Sequence, residues 1–244
     1  MPSASASDDA RRRAAILAAG RRLGARGLIA AGEGNLSIRL GEDLLVTPTR
    51  RRKDELAPGD LLVVPVVPLS GARPTDASGS QPRPSSDIAI HRAVYAARRD
   101  VLAVVHAHLP AAMALTLAGE VPDPAVLPET ALLLPRVPFV PFAAAGSDEL
   151  AAAIAKALVD PPEPLPGAAL LERHGAVAVG SQDGELASLD QAIDRLELLE
   201  VLCRTWRDAL LVRAAVMGRG GTTMLRPPSP RPGSSARGRS RRQP

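Results

Sequence analysis

Val101-Leu102-Ala103-Val104-Val105-His106-Ala107-His108 is the stretch on which the reading of this chain turns. Val101 to Val105 is a short apolar run of the kind that forms a buried strand. Side chains of a strand alternate between its faces, so His106 and His108 leave the same face and their rings converge on one point. A third imidazole, His174, follows the apolar run Ala168 to Leu171 and precedes Gly175, a strand end at which a turn can aim a side chain into a cleft. Three neutral imidazoles suit a divalent transition metal with an open coordination position, the arrangement of catalytic zinc. A lone histidine is more often a satisfied core residue; three at strand ends argue for ligands.

Outward from that strand, helical and extended patterns interleave. Ile16, Leu17, Leu23 and Leu28 fit one helical face, with Asp8 or Asp9 as the cap and Gly24 and Gly27 near the end. Gly32-Glu33-Gly34-Asn35-Leu36-Ser37-Ile38-Arg39 is a glycine-rich turn entering an alternating strand. Such a turn either closes a hairpin or offers backbone amides to an anion, with Asn35 and Ser37 as further donors. Strand-like runs at residues 43–47 and 61–67 flank the polar, cationic loop Thr47-Pro48-Thr49-Arg50-Arg51-Arg52, which reads either as a phosphate loop or as a solvated turn. Residues 68–84 are a Pro, Gly and Ser-rich connection expected to be mobile. It ends in Pro84-Ser85-Ser86-Asp87, ahead of a helix carrying Ile88, His91, Val94 and Tyr95. Ser85 or Ser86 is the expected N-cap, and the first-turn amides can serve either that cap or an anion. Further on, helices are expected at 110–117, 127–134 and 147–159, the last capped by Ser147, with an edge strand at 137–140 between prolines. Strands at 168–172 and 176–179 bracket His174, and the apolar repeat from Leu186 to Val216 reads as one long packing helix. The order predicts an α/β layered domain.

Composition narrows the chemistry. With 244 residues and 45% hydrophobic content, one domain with a sizeable core is expected. The aromatics are only Trp206, Tyr95, Phe139 and Phe142, a poor supply for stacking on bases, and the lysines are only Lys53 and Lys156, which disfavours a Schiff base. The single cysteine, Cys203, lies in a helical run and reads as a small buried hydrophobe; with no intramolecular disulfide possible, a reducing, cytoplasmic location is expected. No stretch approaches the roughly 20 apolar residues of a membrane span. Residues 219–244 hold seven arginines and no acid, so the net charge of +4 leaves about −3 for residues 1–218. That basic tail is expected to be disordered and solvated, and the acidic domain it leaves argues against a specific nucleic-acid partner. The expected organisation is an N-terminal extension (1–9), one domain (10–218) and the tail (219–244).

Taken in order, Gly34-Asn35-Leu36-Ser37, Thr47-Pro48, Pro84-Ser85-Ser86-Asp87 with His91, Val105-His106-Ala107-His108 and Leu171-Glu172-Arg173-His174-Gly175 resemble the class II aldolase and adducin family, over roughly residues 10–212. The family includes fuculose-phosphate aldolase and ribulose-phosphate 4-epimerase. The resemblance implies a three-layer α/β/α fold around a central mixed, mostly antiparallel sheet, usually a homotetramer with sites at subunit interfaces. It implies zinc, or another divalent transition metal, on His106, His108 and His174, and phosphate binding at Asn35, Ser85 and Ser86.

From those parts a zinc-dependent aldolase-type lyase is expected, cleaving a phosphorylated sugar or related ketone through a metal-stabilised enediolate. Asn35, Thr49, Ser85 and Ser86 would anchor the phosphate and Asp87 would move the proton. The alternatives are a 4-epimerase, dehydratase or decarboxylase on the same scaffold, or an adducin-like interaction protein without activity. Aldolases of the family generally carry Glu where Asp87 stands, and the 4-epimerase branch carries Asp. Thr47-Pro48-Thr49-Arg50 replaces a Thr-Pro-Ser-Gly loop, leaving Arg50 to supply charge where a glycine is lost. The family's acid/base tyrosines have no counterpart, and Glu129 falls near one of their positions.

Overall fold

The computed structural model describes residues 4–68, 83–160 and 163–218. In chain order the regular elements are α1 (Ala4–Ala25), β1 (Asn35–Leu40), β2 (Asp43–Val46), β3 (Leu62–Pro65), α2 (Ile88–Ala97), β4 (Ala103–Ala107), α3 (Pro110–Leu117), α4 (Pro128–Leu133), β5 (Phe139–Val140), α5 (Asp148–Ala157), β6 (Ala168–Leu171), β7 (Gly175–Gly180) and α6 (Glu185–Gly218). The strands form one sheet in the order β3-β2-β1-β4-β7-β6-β5. Every pairing is antiparallel except that of the edge strand β5 with β6, so the sheet is mixed and mostly antiparallel, as expected.

Alternation sorts the strand residues into two layers. Val104, Val177, Val179 and Leu171 face α2 and α5, where they pack with Ile90, Val94, Leu150 and Ile154. The intervening residues Ala103, Val105, Ala107, Ala176 and Ala178 are fully buried on the opposite face. Helices cover that face too: Arg22 of α1 bonds Glu197 (2.7 Å) and Asp194 of α6, and buried Glu200 of α6 accepts from the Ala111 amide at the start of α3 (3.1 Å). Alanine on this side lets helices come close. At Gly180 the approach of α6 leaves no room for a side chain, because a Cβ would stand 1.8 Å from the carbonyl of Ser188.

Local chemistry explains most element ends. Gly41, at φ +65, turns the two-residue hairpin between β1 and β2. Ser147 caps α5 by accepting from the Leu150 amide at 3.1 Å. Helix α1 ends in a left-handed glycine, Gly27 (φ +67), with the Leu28 amide returning to the Leu23 carbonyl, so Leu28 packs beyond the helix and not on its face. The same helix begins at Ala4, ahead of the expected cap, and Asp9 pairs with Arg13 at 2.7 Å within it. Helix α2 also departs from expectation. Its N-cap position is Asp87, not Ser85 or Ser86, and Ser85 instead accepts from the Asp87 amide in the preceding turn.

Residues 1–208 form one compact unit and residues 209–244 a second. The described part of the second is helical to Gly218 with exposed side chains from Leu211 to Met217. The expected basic tail, 219–244, lies outside the described residues, as does most of the expected mobile connection (69–82).

Candidate metal centre and active site

Strand β4 is central, and its flanking strands build the site around its end. His106 lies opposite Asn35 of β1 and Val177 of β7 and is fully buried. Its Nδ1 stands 3.0 Å from the carbonyl of Ala176, an acceptor only, so the ring proton sits on Nδ1 and Nε2 presents a lone pair. His108, just past the strand, brings its Nε2 to 3.2 Å from that of His106. His174 closes the triangle, its ring centroid 4.7 Å from that of His106 and 5.0 Å from that of His108. One nitrogen of each ring lies within 4.8 Å of the other two.

This donor set fits a metal. Two nitrogens bound tetrahedrally at about 2.0–2.1 Å from one zinc stand about 3.3 Å apart, close to the spacing of the His106 and His108 Nε2 atoms. Ligation requires neutral rings. Burial holds His106 well below the ordinary imidazole range, and positive charge on His174 or His108 would lower it further. Burial, then His108, also lowers His174, against the opposing pull of Asp87 and Glu33.

Two glycines allow the convergence. A Cβ on Gly175 (φ +77) would stand 2.1 Å from the Ala107 carbonyl and 2.7 Å from the His108 Cα, so only glycine lets the His174 turn press against the end of β4. A Cβ on Gly34 (φ +67) would meet the His106 carbonyl at 2.9 Å.

Beside the rings is a cavity of about 180 Å³. His108, His174 and Asp87 line it together with Asn35, Thr49, Ser85 and Ser86. The expected ligands His108 and His174, the expected proton carrier Asp87 and the expected phosphate-binding Asn35, Thr49, Ser85 and Ser86 therefore share one cavity, with His106 buried behind them. Asp87 is itself buried: its Oδ2 accepts from the Asn35 amide at 3.0 Å, while its Oδ1 has no hydrogen-bond partner among the described residues.

The expectation for Ser37 is corrected. Ser37 does not reach the cavity, since its hydroxyl lies inside the sheet layer 2.6 Å from His91 Nδ1 and 3.0 Å from the Tyr95 hydroxyl. Tyr95 is buried against Ser37 and Arg39. Glu129 borders a groove with Gln191 and Asp194 of α6, away from the histidines.

Three residues without an assigned role in the sequence belong to the site. Buried Lys53 lines the cavity and ties its two loops together, donating to the carbonyls of Gly32 (2.9 Å) and Arg51 (2.6 Å). Burial lowers its amine to about 8. A single lysine ending a run of arginines was the available signal. Glu33 Oε1 lies 3.4 Å from His108 Nδ1. His91, lowered by burial to about 3 and so held neutral, bonds Asn35 Oδ1 at 2.5 Å. Arg50, also on the cavity, adopts φ +55, the left-handed backbone that glycine takes without strain.

Comparison with known proteins relates the chain to one family. The profile of the family described as "Class II Aldolase and Adducin N-terminal domain" matches residues 14–207. The chain is similar to 3-oxo-tetronate 4-phosphate decarboxylase of Cupriavidus necator, with 31% identity over 82% of this chain and 85% of the relative. It is also similar to a Nocardia farcinica protein named "Probable bifunctional methylthioribose-1-phosphate isomerase/methylthioribulose-1-phosphate dehydratase", at 34% identity over 78% of this chain; the match spans only 34% of that longer relative. Among solved structures, L-fuculose-1-phosphate aldolase from Thermus thermophilus superposes with a TM-score of 0.69 and 29% identity, covering 88% of this chain and 100% of that one.

Proposed function

Since the chain belongs to the class II aldolase and adducin family, we propose that it is a metal-dependent lyase of aldolase type acting on a phosphorylated sugar or related ketone. One observation carries the reading: three imidazoles converge beside Asp87, a buried carboxylate that lines the same cavity and whose Oδ1 has no hydrogen-bond partner among the described residues.

His106, His108 and His174 would hold zinc or another divalent transition metal, which supplies Lewis acidity to a bound carbonyl, worth several kcal/mol. Thr49, Ser85, Ser86 and the guanidinium of Arg50 would receive the substrate phosphate, with Asn35 at the inner edge. Lys53 holds the two loops that shape this pocket. Asp87 would move the proton: it accepts one from the substrate hydroxyl whose C–H carbon loses its C–C bond, and the other fragment is protonated on carbon.

A second reading is favoured by the relatives. The Cupriavidus protein is named a decarboxylase and the Nocardia protein a dehydratase. Loss of carbon dioxide or of hydroxide uses the same activation of the carbonyl and differs only in the leaving group. A 4-epimerase, in which the fragments recombine, matches Asp87. Against a non-enzymatic, adducin-like role stands the complete imidazole set.

The proposal includes a homo-oligomer, a tetramer on the family resemblance, supported by exposed Leu132, Leu133 and Val201 along the groove between α4 and α6. It also includes a cytoplasmic location; no helix among the described residues is long and apolar enough to cross a membrane. Elemental analysis of the purified protein beside a His106→Ala/His108→Ala variant tests the centre. About one metal per chain, lost in the variant, is the expected result, followed by a screen of phosphorylated ketoses, aldehydes and 3-keto acids for cleavage, epimerisation, dehydration or decarboxylation. No metal in either protein after reconstitution would refute the reading.

A further inference from the structure

Behind Asp87 runs a line of buried polar side chains, of which only Asn35 borders the cavity. Asn35 Nδ2 lies 3.0 Å from Asp87 Oδ2, Asn35 Oδ1 lies 2.5 Å from His91 Nε2, and His91 Nδ1 lies 2.6 Å from the Ser37 hydroxyl. The Tyr95 hydroxyl closes the line, 3.0 Å from Ser37 Oγ and 3.1 Å from the Ser37 carbonyl. Asn35, Ser37, His91 and Tyr95 are all at most 1% exposed. Neither His91 nor Tyr95 borders the cavity, so neither can touch a substrate there.

The direction of every bond follows from one end. An ionised carboxylate only accepts, so Asn35 must turn its NH2 toward Asp87 and its oxygen toward His91. That oxygen also only accepts, which requires the His91 proton on Nε2. The bare Nδ1 then takes the proton of the Ser37 hydroxyl, and Tyr95 is left to donate to Ser37. Each group donates toward Asp87, and in this array no member can reverse without breaking a neighbouring bond.

We infer that Ser37, His91 and Asn35 are positioning residues that clamp Asp87 through Oδ2 and reserve Oδ1 for the proton moved in the reaction. The inference rests on the proposed acid/base role of Asp87 and adds to it which oxygen works and what holds the other. It also reassigns Asn35. With its oxygen on His91 and one N–H on Asp87, the amide orients the carboxylate first and has a single N–H left for a phosphate.

Two measurements test this on the metal-loaded protein. The first is 15N NMR of histidine-labelled protein, with His91 assigned by the signals missing in His91→Gln. The expected spectrum shows His91 as the neutral Nε2–H tautomer; an Nδ1–H tautomer would reverse the array and overturn the inference without any assay of activity. The second compares His91→Leu, which cannot donate, with His91→Gln, whose amide can donate to Asn35 and accept from Ser37, on the substrate found by the screen. His91→Leu is expected to lower kcat about 10–100-fold with KM and metal content unchanged, and His91→Gln to recover most of the loss. Equal kcat in wild type and His91→Leu, or a loss confined to KM, would overturn it. Asp87→Asn separates the two claims: full activity there removes the acid/base role, whereas the tautomer still decides whether the clamp exists.

Discussion

Gly175→Ala should damage the protein far more than Gly119→Ala, although both glycines have nearly the same backbone angle, φ +77 and +76. A Cβ on Gly119 meets nothing within 4 Å, so this substitution costs only the left-handed conformation, about 1–2 kcal/mol. A Cβ on Gly175 would sit 2.1 Å from the Ala107 carbonyl, where ordinary contact begins at 3.4 Å. Relieving that overlap moves the turn and the end of β4 apart by about 1.3 Å, at an additional cost of about 1–3 kcal/mol. In urea, with a slope of about 2 kcal/mol per molar, the midpoint should fall by roughly 1–2.5 M for Gly175→Ala and by roughly 0.5–1 M for Gly119→Ala. The separated elements carry His108 and His174, so metal affinity should fall about 10–100-fold in the first variant and stay unchanged in the second. Equal midpoints and equal metal retention in the two variants would refute the argument that this close approach assembles the centre.

Three other outcomes follow. Asp87→Asn should keep its metal by elemental analysis while kcat falls about 10²–10⁴-fold; an unchanged kcat would end the acid/base assignment. Arg50→Gly relieves a left-handed arginine and should raise stability by up to about 1 kcal/mol in urea titrations, while KM for a phosphorylated substrate rises about tenfold through loss of a charged contact. Lys53, lowered by burial to about 8 from an ordinary 10.5, binds its proton more weakly folded than unfolded. Its contribution therefore makes wild-type stability rise as pH climbs from about 8 to about 10.5, by no more than about 3 kcal/mol. In Lys53→Met this rise should vanish from urea midpoints measured across that range, and an identical pH profile would contradict the assignment.

The sequence showed where strands and helices lie because most carry plain signals. The apolar runs before His106 and around His174, the prolines bracketing β5, the serine ahead of α5 and the long repeat of α6 each have a local cause. What it hid depends on pairing. Asn35 and Ser37 share a face of β1, yet only Asn35 reaches the cavity, because the sheet extends past Ser37 and α2 covers it. No local pattern reports that depth. Lys53 looks like one more cation in an arginine-rich loop until α1 packs so closely that a Cβ on Gly20 would meet its carbonyl at 2.2 Å. Glu129, placed near the site by analogy, is carried by α4 to a different groove. The role of His91 became readable only when β1 and α2 came together.

The strand order carries a thermodynamic consequence. His106 and His108 are neighbours in any conformation, but His174 reaches them only when β7 lies against β4. An unfolded chain therefore offers an ion two nitrogens and the native chain three. By mass action, an ion present at 100 times its dissociation constant would then add about 2.7 kcal/mol to the unfolding free energy, less whatever the two-nitrogen fragment retains. Resistance to heat and to proteases would thereby become a gauge of metal supply, with the starved protein the first to be cleared.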